Sequence, residues 1–452
     1  MGDASMAALA GLFKARIEEG DWESVRAYSS DLHPADIAEA TQLLEPDDKV
    51  ALVRALEPEL RAEVVALVSD RSLDELLQGL ETPELAEIVE ELPADDAADL
   101  LGEMPLRDAR AVLRLVRDVT SQAEVQELLR YAEDTAGGIM DTDFLAVRES
   151  ASRDEIVAAL RARDEGDNDL HELYVVDDDN RLVGKLALLR LLLARDEPAV
   201  RAAIRRDLIH VPAAMDQEEV AGLFSKYDLV EAPVVDAAGR LVGRITVDDV
   251  IDVIEDEASE DLAMMAGTTE EDIGSTSVFL IARSRFRWQL LGMIGGLVAA
   301  FVMGFFESGI ATVTAVYFFV PVITAMGGNI GIQSSTVVVR ALAMREIDPA
   351  RIGVQVFRET RVAMLTASLL IPMLFGVTWA WQRDVRLAIL VAASMLAVFL
   401  YSALVGTMVP MLLARRDIDP AIATGPFITT SNDIIGVCIY LGLVSLALQQ
   451  VG

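Results

Sequence analysis

The chain has 452 residues, room for several domains, and its net charge of −35 hides two unlike parts. From Arg283 onward 12 arginines and no lysine stand against 8 acidic residues, which leaves 26 basic and 65 acidic residues in 1–282, a balance of −39. A part this acidic excludes nucleic-acid binding through phosphates, which needs basic patches. The single cysteine, Cys438, excludes a disulfide framework or a zinc–thiolate site within the chain.

Residues 1–132 read as helices only. Apolar residues recur at helical spacing in Ile37, Ala38, Ala40, Leu43 and Leu44, in Val50, Leu52, Val53 and Leu56, and in Val64, Val65, Leu67 and Val68. Pro34, Pro46, Pro58, Pro83, Pro93 and Pro105 mark helix starts. The irregular repeat of short helices predicts an all-α superhelical domain. Early acidic residues suit helix N-termini, but the Asp95, Asp96, Asp99 cluster is denser than capping requires. Met1 to Leu12 lacks the basic start and long apolar core of a cleavable signal peptide. His33, His171 and His210 are scattered and show no ligand spacing.

Composition changes at Thr135 to Met140, and an internal repeat fills 133–255. Glu172 to Asp177 followed by Arg181 to Gly184 returns as Glu231 to Asp236 followed by Arg240 to Gly243. Each copy reads as a buried strand, a polar turn, a second strand and a helix, with a further helix before it over 153–163 or 217–227. The two copies resemble a tandem pair of CBS modules, an α/β fold that often binds adenosine nucleotides through a Thr or Ser and an Asp at the last helix start. The second copy has Thr246 and Asp249 there; the first has Ala187 and Arg190. The resemblance therefore allows ATP at one site at most, and the same Thr-x-x-Asp also fits a simple helix cap.

The densest acidic run follows over 248–272, with Asp248, Asp249, Asp252, Glu255, Asp256, Glu257, Glu260 and Asp261. Interleaved apolar residues predict one long amphipathic helix leading to the membrane. Like charges four residues apart weaken a helix, so bound divalent ions make better sense of this face than solvent alone.

Uncharged runs over 288–306, 310–339, 362–382, 387–414 and from Pro420 onward are each long enough to span a bilayer. Arginine flanks put the N-terminal part in the cytoplasm, and the odd number of helices puts the C-terminus outside. The second run carries Pro321 and then closely spaced glycines with Asn329, Gln333, Ser334, Ser335 and Thr336. Small residues serve tight helix packing; polar groups at membrane depth fit a pore or ion path. In the last run the one charge is Asp433, preceded by Thr429, Thr430, Ser431 and Asn432. A carboxylate in mid-membrane costs roughly 3 kcal/mol, and the groups before it are oxygen donors of a kind hard cations or their hydration water prefer. Pairing with an arginine of another helix is the structural alternative.

Pro321 with Gly327-Gly328-Asn329-x-Gly331-x-Gln333, and Asp419-Pro420 followed by Gly425-Pro426 and Asp433, resemble the MgtE family of magnesium channels. The resemblance covers essentially the whole chain. It implies a helical N domain (1–132), a CBS pair (133–255), an acidic connecting plug helix (256–282, ending near Gly274) and five transmembrane helices (283–452). It further implies a homodimer in lipid, in the cell inner (plasma) membrane, with a pore on the two-fold axis between the second and fifth helices. Asp433 would hold hydrated Mg2+, with Asn329 and Thr336 lining the pore. Regulatory Mg2+ would bind among Asp95, Asp96, Asp99, Glu218, Asp228, Asp248, Asp249, Asp252, Glu255 and Asp256. The expected activity is import of Mg2+ down its gradient, closed by cytosolic Mg2+. A coupled carrier or exporter of divalent cations is the alternative. An anion channel conflicts with a negative buried charge, and a lone aspartate without a catalytic partner argues against an intramembrane enzyme. No Walker-type phosphate loop is present.

Overall fold

The computed structural model describes residues 3–162, 172–194, 197–269, 278–310, 314–416 and 418–449. His171 and the stretch around Gly274 lie outside them. The chain forms two units, Met1–Glu257 and Ala258–Gly452.

The first unit opens with short helices stacked in alternate layers. Pro34–Gln42 packs on Pro58–Ala66, which packs on Thr82–Glu91, which packs on Leu106–Leu113; Pro46–Ala55 packs on Asp70–Gly79. Each helix meets its second neighbour along the chain, as in a solenoid. Pro34, Pro46 and Pro58 take the first helical position, where a missing N–H costs nothing. Lys49 is buried between layers, bound to Glu75 at 2.7 Å and to the Ser72 hydroxyl at 2.9 Å. Leu43 and Leu67, expected on the apolar stripes, are exposed. Both sit at helix C-caps, where the chain leaves the helical path and the stripe ends.

Two three-stranded sheets follow, one per repeat. In the first, β1 (Ala146–Arg148) runs parallel to β2 (Glu172–Val176), and β2 antiparallel to β3 (Leu182–Ala187). In the second, β4 (Val211–Pro212), β5 (Glu231–Val235) and β6 (Leu241–Thr246) repeat the pattern, with the register shift at the corresponding place. The turn chemistry repeats too. The Asp177 carboxylate accepts from the amides of Asp179 and Arg181, and the Asp236 carboxylate from those of Ala238 and Arg240. The two turns also bond to each other, Leu182 N to Gly239 O and Leu241 N to Asn180 O.

The connecting helix, Val247–Ala266, is shorter than the acidic run. It stops at Gly267, whose φ is +72°. Gly267 N donates to Met264 O and Thr268 N to Ala263 O, the reciprocal pair of bonds that closes a helix at a left-handed glycine.

Among its described residues the second unit holds five helices long and apolar enough to cross a membrane. The first, Val278–Ile310, packs along the fifth, Pro426–Gln449. The second, Val320–Ala343, packs on the fourth, Val385–Ala414, and on the fifth; the third, Ile352–Gln382, packs on the fourth. The over-long second run is resolved by a break. Thr314–Phe319 forms a separate 3-10 turn, and Pro321 falls in the first turn of the helix after it. Pro420–Ala423 is likewise a turn before the fifth helix, not part of it. The third helix starts ten residues before its uncharged run and carries Arg358, Glu359 and Arg361 in its early turns.

Candidate functional site

Asp433 is the eighth residue of the fifth helix, about 10 Å along its axis from Pro426. It is half-buried. Among the described residues no lysine or arginine lies within ion-pair distance of it, so the arginine-paired alternative is not what the fold builds. The four residues before it were expected to offer oxygens toward an ion. Instead they hold the helix. The Thr429 hydroxyl donates to Gly425 O at 3.0 Å. Thr430 lies against Gly295 of the first helix. Ser431 Oγ and Tyr401 Oη of the fourth helix are 3.2 Å apart, and Ser402 Oγ donates to Asn432 Oδ1 at 2.9 Å. Asp433 is the group left over.

The second helix has two polar faces. Gly327, Gly331, Ser334 and Ser335 are buried. A Cβ at Gly331 would collide with Asn432 and Ile428, and one at Gly406 with the Gly331 carbonyl. The glycines therefore do serve close packing. Asn329 and Gln333 are exposed and Thr336 partly so. At about 100° per residue these three form a stripe on the side opposite Gly331 and Ser334. An Asn–Gln–Thr stripe has no hydrogen-bond partner in lipid tails, so a partner chain or water belongs against it.

In the first unit the acids of the Ala94–Gly102 helix face the repeat and the start of the connecting helix. Burial, then the charges of Asp141, Asp96 and Asp249, push the Asp95 carboxyl up to about 8. One of its oxygens is buried without a hydrogen-bond partner among the described residues. Lost hydration, with Asp96, Asp249, Glu133 and Glu103 nearby, lifts Asp99 to about 7. Asp249 rises to about 6, mainly by burial, against two hydrogen bonds from Thr246. Burial followed by neighbouring acids raises Asp96, Asp252 and Asp256 as well, with Asp70 prominent beside Asp256. The fold thus sets Asp95, Asp96 and Asp99 near Asp248, Asp249 and Asp252, while Glu255 and Asp256 follow further along the connecting helix, Asp256 near Asp70. Glu218 and Asp228 sit at opposite ends of the Gln217–Tyr227 helix, Asp228 as its left-handed cap, and Gln217, next to Glu218, donates from Nε2 to Glu257 of the connecting helix at 2.7 Å. Among the described residues no three His, Cys, Asp or Glu side chains converge on one metal position.

Sequence reading missed Asp141, Asp70, Glu103 and Glu133. Asp141 is held by Arg244, Nε at 3.2 Å and Nη2 at 3.1 Å, and by a backbone bridge. Buried Glu231 lies beside the same guanidinium at 3.8 Å and accepts from Tyr174 Oη. A lone aspartate after a loop gives no periodic signal. Thr246 and Asp249 are bound to each other: Asp249 Oδ2 accepts from the Thr246 amide at 3.0 Å and hydroxyl at 2.7 Å. This is the cap geometry.

Three family profiles match: a divalent cation transporter over 320–443, an MgtE intracellular N domain over 32–134, and CBS domains over 136–196 and 200–256. Together with the five helices they define the class, a membrane transport protein that carries its own soluble CBS-bearing part. The chain is 37% identical over 345 residues to the magnesium transporter MgtE of Thermus thermophilus, covering 75% of this chain and 76% of the relative. It is 33% identical over 326 residues to that of Bacillus subtilis, covering 72% of each. The chain belongs to the MgtE family. Its soluble part resembles the crystal structure of the cytosolic domain of the Mg2+ channel MgtE in complex with ATP, at 35% identity and a TM-score of 0.50, covering 54% of this chain and 99% of that one.

Proposed function

We propose that the chain is a Mg2+ channel that works as a homodimer and passes Mg2+ into the cell down its electrochemical gradient. The observation that carries this reading is Asp433, a half-buried carboxylate in a membrane helix with no lysine or arginine partner among the described residues. The exposed Asn329, Gln333 and Thr336 stripe supports it, because polar residues at membrane depth call for water or a second copy against them. Two chains meeting there would bring two Asp433 carboxylates to one axis. Mg2+ sheds water reluctantly, so two carboxylates and a few amide and hydroxyl groups suffice to hold it hydrated. The names of the Thermus and Bacillus relatives favour Mg2+ as the ion.

The acidic face between the N domain and the connecting helix is, in this reading, the sensor. Its carboxylates are costly to hold together ionised. Mg2+ bound between them favours the docked state, and only such state-dependent binding moves a gate. The acidic part lies in the cytoplasm, the C-terminus outside, and the protein in the cell's inner membrane. ATP, present in the related cytosolic-domain structure, would bind at Thr246 and Asp249, exchanging their mutual hydrogen bonds for those of the nucleotide.

The test is Mg2+ flux into vesicles reconstituted with the purified protein. Asp433→Asn, which keeps size and removes charge, abolishes divalent permeation while the dimer still assembles. Asp433→Glu conducts partially. Wild-type conduction by Asp433→Asn makes Asp433 structural and ends this reading. Single-channel currents separate a channel from a coupled carrier.

A further inference from the structure

Two adjacent residues of the fifth helix, Ser431 and Asn432, are tied to two adjacent residues of the fourth, Tyr401 and Ser402. The Ser402–Asn432 bond is fully buried, both residues being at most 1% exposed. From the other side Asn432 presses on the second helix. Its Nδ2 occupies the space a Cβ at Gly331 would need, and it is buried with no acceptor among the described residues. Gly331 in turn is backed by Gly406 of the fourth helix. Asn432 is therefore clamped between a hydroxyl and a glycine backbone, one residue before Asp433.

One tie would let the helix pivot; two successive ties fix both rotation and register. Successive residues differ by about 100° around the axis, and side-chain tips lie about 5–6 Å from it, so a 20° rotation moves a carboxylate on the order of 2 Å. That is the difference between meeting an ion's hydration shell and missing it.

We infer that Tyr401 and Ser402, acting through Ser431 and Asn432 over the Gly331 seat, are positioning residues that set where the Asp433 carboxylate stands for the passing cation. This rests on the pore reading of Asp433. The two rungs set the geometry of the site and leave the acidic sensor in the first unit untouched.

The experiment uses the full-length protein in planar bilayers, with Na+ as the current carrier and Mg2+ as the blocking probe. Ser402→Ala and Tyr401→Phe each raise the half-blocking Mg2+ concentration by about threefold or more, the change that one interhelical membrane hydrogen bond corresponds to. Ser402→Thr, which keeps the hydroxyl, stays near wild type. Closure by Mg2+ from the acidic side is unchanged in all three. Block within twofold of wild type in both Ser402→Ala and Tyr401→Phe overturns the proposal, as does a Ser402→Ala shift that Ser402→Thr reproduces, since that reports packing alone. Should Ser402→Ala fail to assemble, Tyr401→Phe, which loses only a half-buried hydroxyl, decides alone. Asp433→Asn runs alongside. If it removes block while the rung variants leave block unchanged, positioning fails and the pore reading stands; if Asp433→Asn also leaves block intact, the pore reading itself fails.

Discussion

Replacing Asp95 by Asn should dock the N domain onto the CBS pair without Mg2+. Its carboxyl is pushed from 3.8 to about 8, first by burial and then by Asp141, Asp96 and Asp249, and two of those acids lie beyond the N domain. A raised carboxyl favours the docked state when protonated. Docking is therefore strongest below the ordinary value, near 4, and weakens as pH rises through the window from about 4 to 8. At 1.36 kcal/mol per unit, the penalty at pH 7 is about 4 kcal/mol if undocking relieves all of it. Part of the burial and the Asp96 charge belong to its own helix and persist. Halving the figure leaves about 2 kcal/mol, or a roughly thirtyfold bias against docking.

The assay is limited proteolysis of the full-length protein near residues 130–140, where the N domain joins the CBS pair. In chelator at pH 7.5 the wild type is cut and Asp95→Asn is protected. Lowering the pH to 5.5 protects the wild type as well. Adding Mg2+ at pH 7.5 brings the wild type to the protection that Asp95→Asn shows in chelator, a roughly thirtyfold gain in the docked-to-undocked ratio. Cutting of Asp95→Asn at the wild-type rate in chelator, together with no effect of acid on the wild type, refutes the reasoning.

Deleting residues 1–132 should make channel closure require more Mg2+, and neutralising Asp248, Asp249, Asp252, Glu255 and Asp256 should do so at least as strongly; open probability indifferent to internal Mg2+ from micromolar to ten-millimolar levels would sink the sensor. In calorimetry with millimolar ATP, Asp249→Ala should weaken the heat of binding, and absence of heat in the wild type would leave Thr246 a cap. Gly425 has a φ of +51° and a Cβ added there would collide with the Met265 carbonyl at the end of the connecting helix, while a Cβ at Gly267 would reach Pro426. Gly425→Ala should therefore loosen that helix end and raise the Mg2+ needed for closure, whereas Gly20→Ala, equally left-handed but with nothing within 4 Å, should cost stability alone.

Much of this was legible in sequence because it is periodic or costly. The repeat copied even its turn acids, Asp177 and Asp236, and a lone aspartate in an apolar run announces itself through its price in lipid. The misses share a different physics. Strands of three and two residues, β1 and β4, are too short to alternate. The third helix runs back through Arg358 and Glu359 because backbone bonding continues past the point where hydropathy stops. Asp141 enters the acidic face only through the folding of a loop onto β6 and Arg244.

The hardest thing to read was the division of labour among neighbours. Thr429 to Asp433 look alike as oxygen donors, and so do Asn329, Gln333, Ser334, Ser335 and Thr336. Chemistry does not separate them; azimuth does. Within each helix some residues meet another helix of the same chain: Ser431 and Asn432 Oδ1 bond to the fourth helix, and Gly331 and Gly406 let the second and fourth backbones approach closely. The residues left exposed, Asn329 and Gln333, keep their polar atoms at the surface. A helix that packs by bare backbone on one side cannot turn without losing that contact, so its opposite polar stripe is held at a fixed angle. In this fold the glycines, which carry no chemistry, hold the orientation that the polar residues need.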